Sequence, residues 1–429
     1  FLTPGRVIAA GFAFLILAGT GLLLLPISHQ PGQSLSFMDA LFTATSGVCI
    51  TGLSSIQCNA VLSGFGQAVL LLLIQVGGMG ITTLGVGIIL VTGKKIGIRE
   101  RTLIKESLNQ PSFQGILRLL KVMLMVTFGI EGAGAVLSFP IFVQDYPVGK
   151  AVWLSVFHSV SAFNNAGFDL IGGSSLAVYR NHVPMLLLTS ALTICGGLGF
   201  VVMLNIAQKR RFRRFSLHTK VVLTMTVLLL TVGTLLLHAT QHGLTWVQSF
   251  FYSAVTRTSG FSIYDLGDFS NASLLCMVLL MFVGAAPGST GGGVKVTTFA
   301  VIILTIRSVA QGRDDCVIAD HHIESKTVYR ALTIIVLGAV AVIGSAIVVY
   351  YNTSDAVAVV DAIFESCSAF GTVGLSVGVT SQLNNGAKIL YMLVMFMGRV
   401  GPVAFAMSLT AKPDDNKRKI MPVGHINVG

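Results

Sequence analysis

Charge is what this chain has least of. Only 10% of its 429 residues are Asp, Glu, Lys or Arg, while 53% are hydrophobic and the mean hydropathy is +0.81. A composition this far from that of soluble domains excludes a water-soluble globular fold. Cysteine is scarce as well. The six, at 49, 58, 195, 276, 316 and 367, show no CxxC spacing, and four fall in apolar or short amphipathic segments. That excludes a disulfide framework and a zinc site. No cleavable signal peptide is evident. Catalytic constellations inside apolar segments are missing too: His158 and Ser161 share one segment, but no orienting acid follows at useful spacing, so an intramembrane enzyme lacks support. Nor are inverted repeats visible, which speaks against many secondary carriers of small solutes.

Repetition is what the chain has instead. The stretch from Phe42 to Leu53, Phe-Thr-Ala-Thr-Ser-Gly-Val-Cys-Ile-Thr-Gly-Leu, returns in altered form from Phe157 to Phe168, from Phe250 to Phe261 and from Phe364 to Leu375. In every copy a Phe lies ten residues before a Gly, and that Gly precedes Leu or Phe. Eight apolar stretches, about 5–27, 65–93, 116–139, 183–208, 217–238, 271–307, 328–351 and 387–411, reach the ~20 residues needed to cross ~30 Å of hydrocarbon. Between the members of each pair lies a run too short to cross, near 37–47, 151–163, 245–257 and 356–369. Such runs suit re-entrant half-helices, because irregular backbone survives at membrane depth only where protein or a watery cavity satisfies it.

The expected fold is an all-α membrane protein with eight transmembrane helices. Its four tandem units of helix, pore helix, filter loop and helix surround a central pore with pseudo-fourfold symmetry. The units are 1–93, 94–208, 209–311 with a broken second helix, and 312–429 with a cytoplasmic C-terminal tail. Two crossings per unit give all four the same orientation. The net charge of +11 then reads as topology: 22 of the 28 Lys and Arg lie at Arg6, in 94–121, 209–220 and 307–330, and from Lys412 onward. By the positive-inside rule those segments and both termini face the cytoplasm, and no nucleic-acid partner is implied. The inner basic face, with runs Lys94–Lys121 and Lys209–Lys220, suits a regulatory protein or anionic lipid heads.

Asp39 and Asp361 stand where short helices begin, as acids that cap free N–H groups. Each short helix aims its partly negative C-terminus at the loop after it. Four such ends meeting on an axis favour a cation there. The loops Ile50-Thr51-Gly52, Asn165-Ala166-Gly167, Thr258-Ser259-Gly260 and Thr372-Val373-Gly374 are therefore expected to be filter strands. Glycine frees the backbone to turn carbonyls inward, and carbonyl rings that replace a hydration shell are how potassium filters work. Arg257 is expected to brace the third strand from behind by bonding carbonyls.

A second pattern follows some 24 to 29 residues past each of these glycines: Gly77-Gly-Met-Gly80, Gly196-Gly-Leu-Gly199, Gly284-Ala-Ala-Pro287 and Gly398-Arg-Val-Gly401. In the first two, close helix packing is the expected role. In the third, Pro287, Gly288, Ser289, Thr290, Gly291, Gly292, Gly293 and Lys295 must break the helix in mid-membrane, as a flexible flap or as a static kink. A phosphate loop is excluded, since Gly293 is followed by Val294 and no strand precedes. Arg399 lies in mid-span, where a charge faces a cavity or a partner. It is either a fixed positive charge below the filter, acting with the flap, or one half of a salt bridge with Glu131 or Glu365. His321 and His322, with Asp314, Asp315, Asp320 and Glu324 nearby, read as a solvated loop sooner than a metal site.

Together these residues resemble the Trk/Ktr/HKT superfamily of potassium transporters. The resemblance rests on four units with one filter Gly each, the run Gly-Ser-Thr-Gly-Gly-Gly-Val-Lys-Val-Thr-Thr at 288–298, and Arg399. In Ser-Gly-Val-Cys-Ile-Thr-Gly-Leu (46–53) and Leu-Ile-Gln-Val-Gly-Gly-Met-Gly (73–80) the chain is similar to bacterial Ktr membrane subunits. The match runs over nearly the whole chain. It implies potassium as the substrate, no organic cofactor in this chain, and a homodimer in the bacterial inner membrane. It further implies a cytosolic ring of KtrA-type nucleotide-binding subunits, Gly288–Gly293 as the gating loop, and sodium activation or, as the alternative within the superfamily, sodium permeation or coupling. Potassium-selective members carry Gly in all four filters, as here at 52, 167, 260 and 374.

Overall fold

The computed structural model describes residues 4–80, 116–172, 175–312, 316–318, 321–353, 357–403 and 405. Its helices fall into four groups. The first holds α1 (Pro4–Leu23), α2 (Phe37–Cys49) and α3 (Gly64–Met79). The second holds α4 (Ile116–Phe142), α5 (Val148–Phe163), α6 (Val183–Leu198) and α7 (Phe200–Lys209). The third holds α8 (Leu217–Thr240), α9 (Trp246–Val255), α10 (Asn271–Phe282) and α11 (Val296–Ala310), and the fourth α12 (Ser325–Asn352), α13 (Val359–Gly371) and α14 (Asn385–Val400). Between α11 and α12 a small antiparallel hairpin pairs β1 (Cys316–Ile318) with β2 (His321–Ile323). His321 and His322 lie in β2; Asp314, Asp315 and Asp320, like the basic stretch 94–115, residues 81–93 and the tail from 406, fall outside the described residues.

Among the described residues α1, α4, α8 and α12 are long and apolar enough to cross a membrane, and a fifth crossing is added if α6 and α7 count as one bent span. No more than 28% of each long helix's apolar window is buried. Much of the remainder, including Phe14, Val136, Val227 and Val340, is exposed, a surface suited to hydrocarbon. Among the described residues, not all of the eight crossings expected from the sequence are met by unbroken helices, and the reason is physical. α3, α6 and α14 hold 16 residues each and α10 holds 12, about 18–24 Å of helix. α3, α6 and α14 stop at Gly80, Gly199 and Gly401, whose φ values are +79°, +87° and +98°. Past Gly199 the chain leaves as α7 at 94° to α6.

Packing arranges the groups in a cycle. Each long helix lies against the short helix after it: α1 on α2, α4 on α5, α8 on α9, α12 on α13. Each later helix then lies against the short helix of the next group: α3 on α5, α6 on α9, α10 on α13, and α14 back on α2. The short helices form the centre, with Phe42, Phe157 and Phe364 buried.

Their N-termini are capped in different ways. Ser36 caps α2 by accepting from Asp39 N–H (3.1 Å), so Asp39 is not itself the cap expected from the sequence. Its carboxylate instead accepts from the Ser36 and Ser55 hydroxyls (2.6 and 2.7 Å) and from Lys388 Nζ (2.7 Å) on α14. Asp361 does accept from Ala358 N–H, at 3.4 Å.

Candidate functional site

Three of the four central helices end alike. Ile50 N–H reaches Gly47 O (3.2 Å) while Thr51 N–H reaches Ser46 O (2.8 Å); Asn165 and Ala166 repeat this on Ala162 and Ser161, Thr372 and Val373 on Ala369 and Ser368. This pair of bonds is the left-handed helix cap. Accordingly Ile50, Asn165 and Thr372 have φ of 57°, 58° and 50°. The region is unfavourable for β-branched residues, so the surroundings must hold Ile50 and Thr372 there. In the third group Ser259 N–H returns to Val255 O (2.8 Å), and Thr258 does not take positive φ.

Past each cap lies a marker glycine. Gly52, Gly167, Gly260 and Gly374 have φ of +87°, +68°, +68° and +94°. A Cβ on Gly52 would fall 2.4 Å from Ala166 O, one on Gly167 2.4 Å from Ser259 O, one on Gly260 2.3 Å from Val373 O, and one on Gly374 2.2 Å from Thr51 O. Each glycine thus leans on the carbonyl just before the next glycine, and the last leans on the first. Loops from all four groups meet in one closed ring, at positions where no side chain fits.

The segment after each glycine is tied down by different chemistry. In the fourth group buried Glu365 accepts from Ser376 Oγ (2.6 Å), Val377 N–H (3.1 Å), Thr380 N–H (2.8 Å) and the Thr380 hydroxyl. In the third, the Tyr252 hydroxyl accepts from Ile263 and Tyr264 N–H (3.3 and 3.0 Å). Arg257 does not supply the bracing expected of it, since its buried Nε finds no hydrogen-bond partner. His158 has Thr189 Oγ1 at 3.0 Å and packs on the rings of Phe142 and Phe261, a place in the core.

The Gly-rich segment after α10 lies against this ring. Gly284 N–H meets Val294 O (2.8 Å), Ala286 N–H meets Gly197 O (3.0 Å), Thr290 N–H meets Gly196 O (3.2 Å) and Gly293 N–H meets Gly398 O (3.3 Å), while Gly288 O accepts from Phe200 N–H (3.1 Å). The break between α6 and α7 therefore receives the segment. A Cβ on Gly199 would stand 2.8 Å from Pro287 O. Gly77-Gly-Met-Gly80 and Gly196-Gly-Leu-Gly199 consequently do more than pack, because their last glycines end helices. Lys295 Nζ folds back onto Gly291 O (2.6 Å), and Ser289 Oγ donates to Ala286 O (2.6 Å).

Arg399 settles between the groups. Its guanidinium donates to the carbonyls of Thr290, Gly77 and Gly78, joining the Gly-rich segment to the end of α3. The salt bridge with Glu131 or Glu365 weighed from the sequence is not formed. Glu365 is bound as above, and Glu131 accepts from Gln75 Nε2 (3.2 Å) and Asn164 Nδ2 (2.8 Å). Among the described residues no group of three or more His, Cys, Asp or Glu is placed to hold a metal ion.

Sequence reasoning missed the ends of α3, α6 and α14. A signal was present, since the last place of the second pattern is Gly, Gly, Pro and Gly at 80, 199, 287 and 401, a helix breaker in all four copies.

Known proteins resemble this chain. The family model for TrkH, a cation transport protein, matches residues 8–420. The chain is 36% identical over its whole length to the Ktr system potassium uptake protein B of Bacillus subtilis (strain 168), of which it covers 97%. It is 37% identical to the potassium/sodium uptake protein NtpJ of Enterococcus hirae, over 96% of this chain and 94% of that one. The solved structure of the potassium transporter TrkH from Vibrio parahaemolyticus has a TM-score of 0.74, covering 95% of this chain and 84% of that one at 19% identity, a likeness of fold.

Proposed function

The chain belongs to the TrkH family of cation transport proteins, transporters and not enzymes, and from that premise we propose that it takes up potassium through a pore along the axis of its four groups. The observation that carries this reading is the ring in which Gly52, Gly167, Gly260 and Gly374 each abut the next strand's carbonyl. Main-chain oxygens of Ile50–Gly52, Asn165–Gly167, Thr258–Gly260 and Thr372–Gly374 replace the ion's hydration shell. α2, α5, α9 and α13 serve as pore helices, their partly negative C-termini directed at the cation. Gly288–Gly293 is the gate, held shut from the side by Arg399 and folded on itself by Lys295.

The remaining assignments follow from the sequence motifs and the placement of the basic residues. The protein works in the bacterial inner membrane as a homodimer with cytoplasmic termini. Its basic inner face meets a KtrA-type nucleotide-binding ring and anionic lipids. Sodium coupling is the second reading, favoured by the relative named as a potassium/sodium uptake protein. One experiment tests both. Expressed in a cell that lacks potassium uptake, the chain restores growth at low external potassium; no rescue, with or without sodium, refutes the assignment, and rescue only with sodium selects the coupled form.

A further inference from the structure

The Gly-rich segment passes beneath the filter strands one residue to a strand. Thr290 Oγ1 lies 3.1 Å from both Phe163 O and the Asn165 amide. Turned so that its oxygen faces the hydroxyls of Thr290 and Thr258 (3.1 and 3.2 Å), that amide places its nitrogen on the carbonyls of Thr193 and Ala162 (3.1 and 3.3 Å). Gly291 comes next, with Thr258 Oγ1 2.8 Å from where its Cβ would stand, and then Gly292, with Thr372 Oγ1 at 2.2 Å. Asn165, Thr258 and Thr372 hold the same place in strands two, three and four, two residues before the marker glycine. The glycines at 291 and 292 are therefore required by close approach to the filter. Flexibility alone does not explain them.

Asn165 is the left-handed cap of the second strand, and the next residue, Ala166, supplies the carbonyl against which Gly52 packs. Side-chain bonds from Asn165 over-determine that unusual conformation. A carbonyl ring discriminates between cations through the number and positions of its oxygens, so anything that lets Ala166 O relax alters discrimination. We propose that Thr290 is a positioning residue for selectivity: through Asn165 and Phe163 O, the seated loop holds the second filter strand in register. Preference for potassium over sodium then depends on where the loop sits. By linkage, the ion in the filter biases the loop by the same factor. The inference rests on the filter and gate assigned above.

Purified full-length protein in lipid vesicles provides the test, with sodium competing against potassium uptake. Thr290→Val keeps the side chain's volume and removes its hydroxyl. The potassium preference is expected to fall about three- to tenfold, the scale set by one hydrogen bond of ~1 kcal/mol, and Thr290→Ser is expected to restore it. An unchanged preference in Thr290→Val, whatever its flux, overturns the inference and leaves the loop a simple lid. Should that variant fail to fold, deletion of Ser289–Gly292 decides by the same criterion. Wild-type protein that transports without preferring potassium would instead remove the filter assignment itself.

Discussion

A methyl group is too large for the place Gly52 occupies. Its φ of +87° and the Ala166 carbonyl 2.4 Å from an added Cβ both penalise a side chain, the backbone alone by about 1–3 kcal/mol. Gly52→Ser is expected to reduce preference for potassium over sodium about tenfold, the equivalent of ~1.4 kcal/mol, in competitive uptake; competition identical to wild type would count against a filter at this position. Arg399→Ala removes the donor shared by Thr290 O, Gly77 O and Gly78 O. Initial potassium uptake should rise, and a folded variant that no longer transports would contradict a gating role. The glycines were legible because four copies share one spacing. The partners of Arg399 were not, since a carbonyl belongs to every residue type and leaves no mark in the sequence.

At the scale of the element, the short central helices and the break in the third group could be read directly from length, flanking apolar stretches and the Pro/Gly run, whereas the ends of α3, α6 and α14 at Gly80, Gly199 and Gly401 could not. Hydropathy sums side chains and does not register where a backbone turns. The bend at Gly199, with φ +87° and ψ 138°, is filled by the segment of the third group, whose Gly288 O pairs with Phe200 N–H. A sequence window around 199 contains no trace of residue 288. Gly199→Ala demands a conformation that costs about 1–3 kcal/mol in a non-glycine residue and crowds Pro287 O. It should lower the melting temperature in detergent by a few degrees per kcal/mol and loosen the seat of the Gly-rich segment; melting indistinguishable from wild type would argue that the bend relaxes freely.

For the whole molecule, the contact that joins end to beginning is ionic as well as steric. Lys388 on α14 pairs with Asp39, in the first turn of the short helix α2, at 2.7 Å. Burial pushes the Asp39 carboxyl up, but bonds from Lys388, Ser36 and Ser55 and the lysine's charge outweigh it and leave the group below its ordinary value. A depressed carboxylate stabilises the folded state fully above its unfolded value, about 3.9, and ceases to do so as pH falls through the lower folded value. Lys388→Met should therefore destabilise at neutral pH by about 1–3 kcal/mol, and its deficit against wild type should shrink below about pH 4; a deficit constant with pH would show that the pair's charge is irrelevant. The cyclic order of groups was expected from four same-facing repeats, but nothing in the local sequence announced a bond across 349 positions. Because Gly374 closes the ring on Thr51, a chain still on the ribosome and short of its final quarter has three walls and an open side. If the ring is the filter proposed above, such a chain holds no finished ion site, and the pathway comes into being only when the last strand arrives.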